Sequence, residues 1–365
     1  MEAIDKGIAK RKIKLFDIVK VIIYSAIIAV LAGCSANTAP IDNPDSIAEL
    51  ISLDIGGMEQ WVLIRGEDRS NPVLLWLHGG PGAAQMPLAH HLDRELEEEF
   101  VVVHWDQRGA GKSNHRGFDA QSMRFDRYIT DAHELISYLK ERFDQENIFL
   151  LGHSWGTQLG IELASKYPED IRAYISVSQV VDNHRAYEIG YEWLQDQIKK
   201  GQNPDDVKGL EELGSPPYTE HSKHVAFAQM VGKYGGNFDI SMSRLARIAM
   251  RAPEYSIADY YRWLNGANRG SGPMWDEVYT QHINYTEKIT KLEVPVFFFA
   301  GLHDYNTPHQ LIKEYFEKIA APVKELITFK NSAHTPFLGE PEKFSREIIR
   351  IKHELKNIRE NNHEL

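Results

Sequence analysis

The chain has 365 residues, of which 42% are hydrophobic and 25% are charged, and its formal net charge is −11. The apolar content suffices for a full core, which excludes an intrinsically disordered protein. The negative charge excludes nucleic acid as a partner, because the phosphates would be repelled. Cys34 is the only cysteine, so no internal disulfide can form. The length suits one α/β domain with an insertion.

The N-terminal segment has the layout of a secretory signal. Basic side chains precede an apolar run from Val21 to Ala32, and small residues lead from there to Cys34. The run is shorter than the roughly 20 residues that a membrane-spanning helix needs. Its end, LAGC at residues 31–34, resembles a bacterial lipobox, in which the cysteine is lipidated and becomes the mature N-terminus.

This segment predicts how the protein is located. We expect a lipoprotein signal peptide at residues 1–33, a lipid on Cys34 and a flexible tether over residues 34–46. The protein is then an exported, membrane-anchored lipoprotein of the bacterial cell envelope, and two acyl chains give stable anchoring. An uncleaved N-terminal anchor is the first alternative, and a soluble cytoplasmic protein is the second.

From residue 47 the chain alternates short apolar strands with amphipathic helices. This pattern predicts an α/β fold with a mostly parallel sheet covered by helices on both faces. The predicted strands in this half are residues 49–55, 59–65, 73–77, 100–105, 147–151 and 171–178. A helix over residues 124–143 precedes the fifth strand, and another over residues 157–167 follows it.

The segment GHSWG at residues 152–156 lies between that strand and that helix. A serine in such a turn, flanked by glycines, has a strained backbone that presents its hydroxyl beyond the strand end. Ser154 is therefore predicted to be a catalytic nucleophile. The backbone N–H of Trp155 and a second N–H from the loop after the third strand, best assigned to Gly80, would stabilise an oxyanion.

A second motif, GKS at residues 111–113, resembles the end of a phosphate-binding loop. That loop would need glycine at the position of Asp106, so no nucleotide site is expected. Asp106 and Arg108 are instead predicted to brace the loop after the fourth strand. No metal-binding motif and no cofactor motif occur, and histidine pairs such as His90 and His91 are expected to be structural or solvated.

Residues 183–290 break the alternation, because helical stretches follow one another without a strand. Helices are predicted at residues 187–200, 204–213, 222–233, 241–251 and 256–264. We expect a helical cap over residues 183–290, inserted into a core formed by residues 47–182 and 291–365. Most of its aromatic side chains should form its own core, and a few should line an apolar pocket facing Ser154.

The C-terminal part supplies the partners that a serine nucleophile requires. Strands at residues 294–300 and 325–329, with a helix at 308–319 between them, complete a sheet of eight strands. Asp304 follows the first of these strands and His334 follows the second, which is the order expected after such a serine. His334 is predicted to be the base and Asp304 the acid that orients it, whereas the adjacent His303 is expected to be structural.

Three loops together resemble the signature loops of the prolyl iminopeptidase branch of the α/β-hydrolases. They are HGGPG at residues 78–82, DQRGAGKS at residues 106–113 and GHSWGT at residues 152–157. The resemblance implies an α/β-hydrolase fold with an inserted cap, no cofactor, and Ser154, Asp304 and His334 as nucleophile, acid and base.

The resemblance is weaker at the site for the substrate amine. Some members of the branch carry a Trp-x-x-Trp-Glu-Gly run whose glutamate helps to hold the α-amine, but here Asn265 stands before the glycine. The remaining candidates for substrate binding are Glu188, Glu192, Trp263, Asp276 and Glu277.

The predicted function is thus a serine hydrolase. The first hypothesis is an aminopeptidase that releases N-terminal proline or a similar residue from short peptides. The alternatives are a carboxylesterase or lactonase acting on small apolar esters, and a non-catalytic binding protein. The complete set of three residues in the expected order argues against the last of these.

Overall fold

The computed structural model describes residues 36–218 and 220–363, and their side chains apart from 267–271, 275, 276 and 359–363. The predicted signal peptide at residues 1–33 and Cys34 lie outside the described residues. From Asn37 onward the chain forms one compact unit. No helix within the described residues is long and apolar enough to cross a membrane.

The centre of the fold is an eight-stranded sheet in the order β1-β2-β4-β3-β5-β6-β7-β8. The hairpin β1–β2 is antiparallel, β2 pairs with β4 antiparallel, and the remaining pairs are parallel. The predicted sheet is therefore confirmed. The strands are β1 (Ile47–Ile55), β2 (Met58–Gly66), β3 (Val73–Leu77), β4 (Val101–Asp106), β5 (Ile148–His153), β6 (Ile171–Val177), β7 (Val296–Gly301) and β8 (Lys324–Phe329).

Helices cover both faces of this sheet, which explains why its central strands are apolar without alternation. In β3, Leu75 and Leu77 face one hydrophobic cluster, whereas Leu74 and Trp76 face another. The helices of this layer are α1 (Ala89–Leu92), α2 (Arg94–Glu97), α3 (Phe125–Phe143), α4 (Trp155–Lys166), α12 (His309–Lys318), α13 (Pro336–Gly339) and α14 (Pro341–His363).

Between β6 and β7 the chain is helical, as the sequence predicts. These helices are α5 (Asn183–Gly201), α6 (Pro204–Leu213), α7 (His221–Lys233), α8 (Met242–Ala249), α9 (Ile257–Ser271), α10 (Trp275–Val278) and α11 (Tyr285–Lys288). Tyr187, Leu194, Phe227 and Val231 belong to a separate hydrophobic cluster in this part. The exact cap limits at residues 183 and 290 stay a prediction.

Candidate active site

Ser154 lies in the sharp turn between β5 and α4. Its φ of 53° and ψ of −118° are a strained conformation for a residue with a side chain. The flanking residues must be glycines because a side chain would collide with the backbone. A Cβ on Gly156 would lie 2.1 Å from the carbonyl oxygen of Leu77. A Cβ on Gly152 would lie 2.4 Å from the carbonyl oxygen of Gly156. The turn thus holds the Ser154 hydroxyl beyond the end of the sheet.

Ser154, His334 and Asp304 form one hydrogen-bonded chain. The Nε2 atom of His334 lies 2.9 Å from the Ser154 hydroxyl oxygen, and its Nδ1 lies 2.8 Å from Oδ2 of Asp304. A carboxylate only accepts hydrogen bonds, so Nδ1 carries the proton and Nε2 is free to accept one from the serine. This arrangement gives the serine a base and gives the base a fixed orientation.

The Asp304 carboxylate is buried and satisfied by its own loop. Its Oδ1 accepts the backbone N–H groups of Asn306 and Thr307, each at 2.8 Å, and its Oδ2 accepts the Thr307 hydroxyl at 2.6 Å. These donors hold one carboxylate oxygen toward His334 and stabilise its charged form. Asn306 also places its side-chain nitrogen 3.2 Å from Nε2 of His334.

The backbone of His334 is held by groups that the sequence analysis did not single out. Its carbonyl oxygen accepts from the Ser178 hydroxyl and from Nε2 of His153, each at 3.0 Å. Gln85 donates to Nδ1 of His153 at 2.9 Å, which places the His153 proton on Nε2. Burial, together with the neighbouring His334, holds the pKa of His153 well below its usual value. A neutral imidazole therefore bridges the nucleophile turn and the base loop.

A carboxylate from the segment between α7 and α8 clamps the base loop from the other side. Asp239 accepts the N–H of Ala333 at 2.5 Å through Oδ1, and the N–H and hydroxyl of Thr335, each at 2.8 Å, through Oδ2. The N–H of His334 itself donates to the carbonyl oxygen of Asn237 at 2.8 Å. The helical segment therefore positions the base directly.

The two predicted oxyanion donors lie beside the same cavity as Ser154. Gly80 and Trp155 both line it, and neither backbone N–H has an acceptor among the described residues. Gln107 connects the two segments, because its side chain donates to the His78 carbonyl oxygen and accepts from the Trp155 indole, each at 3.1 Å. The arrangement leaves both N–H groups available for a substrate oxygen.

The loop after β4 is a structural brace, as the sequence predicts. Asp106 is fully buried and accepts the backbone N–H of Lys112 at 2.7 Å and the hydroxyl of Tyr255. Burial raises the pKa of this carboxyl to about 7. Arg108 forms a buried ion pair with Asp131 at 2.8 Å.

A cavity of about 120 Å³ begins at Ser154 and extends beneath α5; its wall is largely apolar but includes several polar side chains, and we call it the polar cavity to distinguish it from a second one described below. Gln158, Asp182 and His224 contribute polar side chains to its lining. Burial lowers the pKa of His224 to about 4, so this imidazole is neutral near neutral pH. Among the described residues that line the cavity, Asp182 alone therefore brings a charge.

Asp182 and Gln158 are functional candidates that the sequence analysis missed. Asp182 is 3% exposed, and its Oδ1 accepts the N–H groups of His184 and Arg185 at the start of α5 and lies close to Nε2 of His282, each at 3.1 Å. Gln158 is also 3% exposed, and its Oε1 has no hydrogen-bond partner among the described residues. In the sequence, Asp182 is recognisable only as the residue that caps α5, and nothing in the local pattern indicates that it also lines the cavity.

An apolar cavity of about 340 Å³ meets Ser154 from the side of His334. Apolar side chains dominate its lining, including those of Leu88, Leu245, Trp263 and Phe337. The Trp263 indole donates to a backbone carbonyl oxygen at 2.7 Å, which fixes the ring in the wall. Five residues are predicted to bind substrate, and of the four whose side chains the structure describes, Trp263 is the one that reaches a cavity containing Ser154.

Three of the four predicted acidic residues have described side chains, and the structure does not bring these three to Ser154. Glu188 and Glu192 are exposed on α5 and line neither cavity. Glu277 accepts the first backbone N–H of α3 at 2.6 Å and thus has a structural partner. The side chain of Asp276 lies outside those described. His303, the alternative base, is exposed and does not take part in the chain of hydrogen bonds with Ser154.

Comparisons with known proteins identify relatives along most of the chain. The family profile for serine aminopeptidase, S33, matches residues 70–342. The probable aminopeptidase YbaC of Bacillus subtilis is 31% identical over 314 residues, covering 85% of this chain and 98% of that protein. A proline iminopeptidase of Heyndrickxia coagulans is 27% identical over 281 residues, covering 75% of this chain and 87% of that protein.

A solved structure agrees with the fold. The crystal structure of proline iminopeptidase from Mycobacterium smegmatis superposes with a TM-score of 0.59 at 21% identity, covering 84% of this chain and 98% of that one. The fold is therefore that of the α/β-hydrolases. On the family match and on the relative at 31% identity, the chain belongs to the serine aminopeptidase S33 family and is a hydrolase.

Proposed function

We propose that this protein is an aminopeptidase that releases one N-terminal residue, preferably proline, from short peptides. The observation that carries the proposal is the polar cavity, in which the Asp182 carboxylate and the Gln158 amide are enclosed beside Ser154. A free α-amine is protonated near neutral pH, and the Asp182 carboxylate is the charged group in the cavity lining that would attract it; His282, which contacts Oδ1 of Asp182 at 3.1 Å, lies outside that lining. The names of the relatives above support the same reading.

The proposed mechanism assigns one role to each member of the hydrogen-bonded chain. Ser154 attacks the scissile carbonyl carbon while Nε2 of His334 takes its proton, and Asp304 stabilises the resulting imidazolium. The backbone N–H groups of Gly80 and Trp155 hold the oxyanion. Nε2 then returns the proton to the departing amine, and a water molecule, activated by the same nitrogen, releases the residue from Ser154.

The two cavities suit the two halves of the substrate. The leaving amine must receive its proton from His334, and His334 lines the apolar cavity but not the polar one. The acyl group, which places its oxygen on the N–H groups of Gly80 and Trp155, then lies in the polar cavity. A volume of about 120 Å³ accommodates one small residue, which supports removal of single residues from the N-terminus.

An esterase or lactonase is the competing function, and the apolar cavity is the observation in its favour. The decisive measurement is kcat/KM for proline arylamide, for its N-acetyl derivative and for a butyrate ester. Losing a contact of a charged group costs about 1.5–3 kcal/mol, so acetylation should lower kcat/KM by about 10-fold or more. Equal rates for the free and acetylated amides, or turnover of the ester alone, would reject the aminopeptidase.

We also propose that the protein is an exported lipoprotein anchored through Cys34. The support is the sequence: a basic segment, an apolar run and the LAGC motif at residues 31–34. Mass spectrometry of the membrane-extracted protein should show an acylated N-terminus at Cys34, and Cys34→Ser should accumulate as an unprocessed precursor. An unmodified Met1 terminus on the native protein would refute this location.

A further inference from the structure

Two neighbouring helices outside the sheet, α8 and α9, expose large apolar side chains to solvent. The exposed fractions are 60% for Met242, 69% for Met250, 73% for Ile257, 71% for Tyr261 and 69% for Leu264. We call the surface formed by these side chains and the arginines between them the α8–α9 face. Side chains of this size are exposed in a group only where something covers them, or where the surface serves binding.

The two helices form one continuous surface. The hydroxyl of Tyr260, on α9, donates to the carbonyl oxygens of Ala249 at 2.6 Å and Ala252 at 3.2 Å, at the end of α8. Met242 from α8 and Leu264 from α9 line the same apolar cavity, which also contains Ser154. The mouth of that cavity therefore opens within the α8–α9 face.

The charges on this face are positive, although the whole chain carries −11. Arg244, Arg247 and Arg251 are exposed, and none of them forms an ion pair with a described residue. The acidic residues of the same segment, Glu254 and Asp259, are buried at 2% and 4% exposure, and Asp259 pairs with Lys112 at 2.9 Å. Exposed apolar groups interspersed with arginines are the composition that binds the interface of an anionic bilayer.

The described chain begins beside this face. The N–H of Asn37 donates to the carbonyl oxygen of Pro253 at 3.1 Å, between α8 and α9. Arg65 holds the next residues through the Thr38 hydroxyl at 2.5 Å and the Ala39 carbonyl oxygen at 2.6 Å. Cys34 precedes Asn37 by three residues, which span at most about 11 Å when fully extended. A lipid on Cys34 would thus be attached close to the α8–α9 face.

We propose that the α8–α9 face binds the surface of a bilayer containing anionic phospholipid, so that the mouth of the apolar cavity faces the membrane. The inference goes beyond the aminopeptidase activity, and it rests on the proposed lipidation of Cys34. Lipidation alone would not fix one orientation of the enzyme against the membrane. The apolar and arginine side chains would instead fix one orientation, in which the leaving-group side of the substrate approaches along the membrane.

The test uses the native lipidated chain, purified and reconstituted in vesicles. Met250→Cys introduces one free thiol on the face, because the only natural cysteine, Cys34, carries the proposed lipid, and the new thiol is labelled with an environment-sensitive dye. The matched control is Glu141→Cys near the end of α3, an exposed position beside the start of β5 and so at the sheet end away from Ser154. Vesicles are phosphatidylcholine with and without phosphatidylglycerol.

If the proposal holds, the fluorescence of the dye at position 250 should shift to the blue and should be quenched by acyl-brominated lipid. The dye at position 141 should show neither effect. Both effects should strengthen with phosphatidylglycerol and weaken severalfold in Arg247→Glu/Arg251→Glu, whose peptidase activity in detergent should match that of the parent. Equal dye responses at positions 250 and 141, or a response insensitive to the two arginines, would overturn it. If the protein did not stay on the vesicles at all, the proposed lipid anchor would be refuted instead. The activity assay in detergent tests the proposed aminopeptidase function separately.

Discussion

The most informative perturbation is Asp182→Asn. Asparagine caps a helix about as well as aspartate, so its side-chain oxygen can still accept the N–H groups of His184 and Arg185 that begin α5. The substitution preserves shape and removes the charge that Asp182 brings to the polar cavity. It therefore isolates the electrostatic contribution of this residue from its structural one.

The expected magnitude follows from the burial of the carboxylate. A hydrogen bond to a charged partner in a site this enclosed contributes about 1.5–3 kcal/mol, which corresponds to about 10- to 150-fold in kcat/KM. The loss should appear with proline arylamide, whose α-amine is charged. With the N-acetyl derivative or a butyrate ester, the same substitution should change kcat/KM by no more than about twofold, since these substrates offer no ammonium.

Glu188→Gln is the matched control, because Glu188 lies on the same helix and is exposed outside both cavities. It should leave all three rates unchanged, and both variants should melt within a few degrees of the parent. The reasoning is refuted if Asp182→Asn lowers the rates for the free and the acetylated amide by the same factor. That result would make Asp182 a structural cap and not a recognition group.

Three other predictions address the chain of hydrogen bonds and the braces around it. Ser154→Ala should lower kcat by about 10⁴-fold or more because the covalent route is lost, with His334→Ala comparably severe; activity retained in Ser154→Ala would contradict the assignment. Asp239→Asn should lower kcat about tenfold or more with little change in KM, because the base loop loses charged acceptors on both sides of His334; a change in KM alone would argue against this role. Burial raises the pKa of Asp106 from its ordinary value of 3.8 to about 7 in the folded state, so between these two pH values the folded chain binds a proton that the unfolded chain does not. Protonated Asp106 therefore contributes most to the free energy of unfolding at a pH below the lower of these two pKa values. As the pH rises from there, this contribution falls by about 1.4 kcal/mol per pH unit until the pH passes the folded pKa. Urea titrations of the parent and of Asp106→Asn across that range should diverge accordingly, and parallel curves would refute the assignment.

Most of the sheet could be predicted from the sequence because its strands are short, apolar and bounded by turn residues. The predicted strand at residues 171–178 differs from β6 (Ile171–Val177) by one residue, and the one at 294–300 is shifted by one to two residues from β7 (Val296–Gly301). The helices α1 and α2 were not predicted, since a helix of four residues is too short for an apolar periodicity to be recognised.

The three residues of the candidate triad could also be predicted from the strand pattern, because the carboxyl ends of parallel strands lie at one edge of the sheet. Ser154, Asp304 and His334 each follow such a strand, so the topology brings them together without knowledge of the side-chain packing. The side chains that hold His334 in place were not accessible. Asp239 reaches its loop across 94 residues of sequence, and no local pattern indicates that contact.

The sequence could not show which acidic side chains bind the substrate. That depends on which face of α5 is turned toward the core, and the sequence does not determine this rotation. Glu188 and Tyr187 are neighbours in the sequence, yet Tyr187 is buried and lines the polar cavity while Glu188 is exposed. The sequence around Asp182 indicates only a helix cap, because an aspartate just before a helix accepts the first backbone N–H groups of that helix. The proposed role of Asp182 in binding the substrate amine depends on the cavity between α5 and Ser154, which forms only when the helix packs against the core.

One short segment before α8 contacts the loops of both the acid and the base. The carbonyl oxygen of Gly236 accepts the N–H of Tyr305, next to Asp304, at 2.9 Å, while Asn237 and Asp239 hold the loop of His334. The same segment continues through Phe238 into the wall of the apolar cavity. A displacement of α8 on a membrane or by a substrate would therefore reach the acid and the base together, since both loops hydrogen-bond to residues just before that helix. The residues proposed to contact lipid begin at Met242, three residues after Asp239, so membrane binding at the α8–α9 face would act next to the segment that holds the loop of His334.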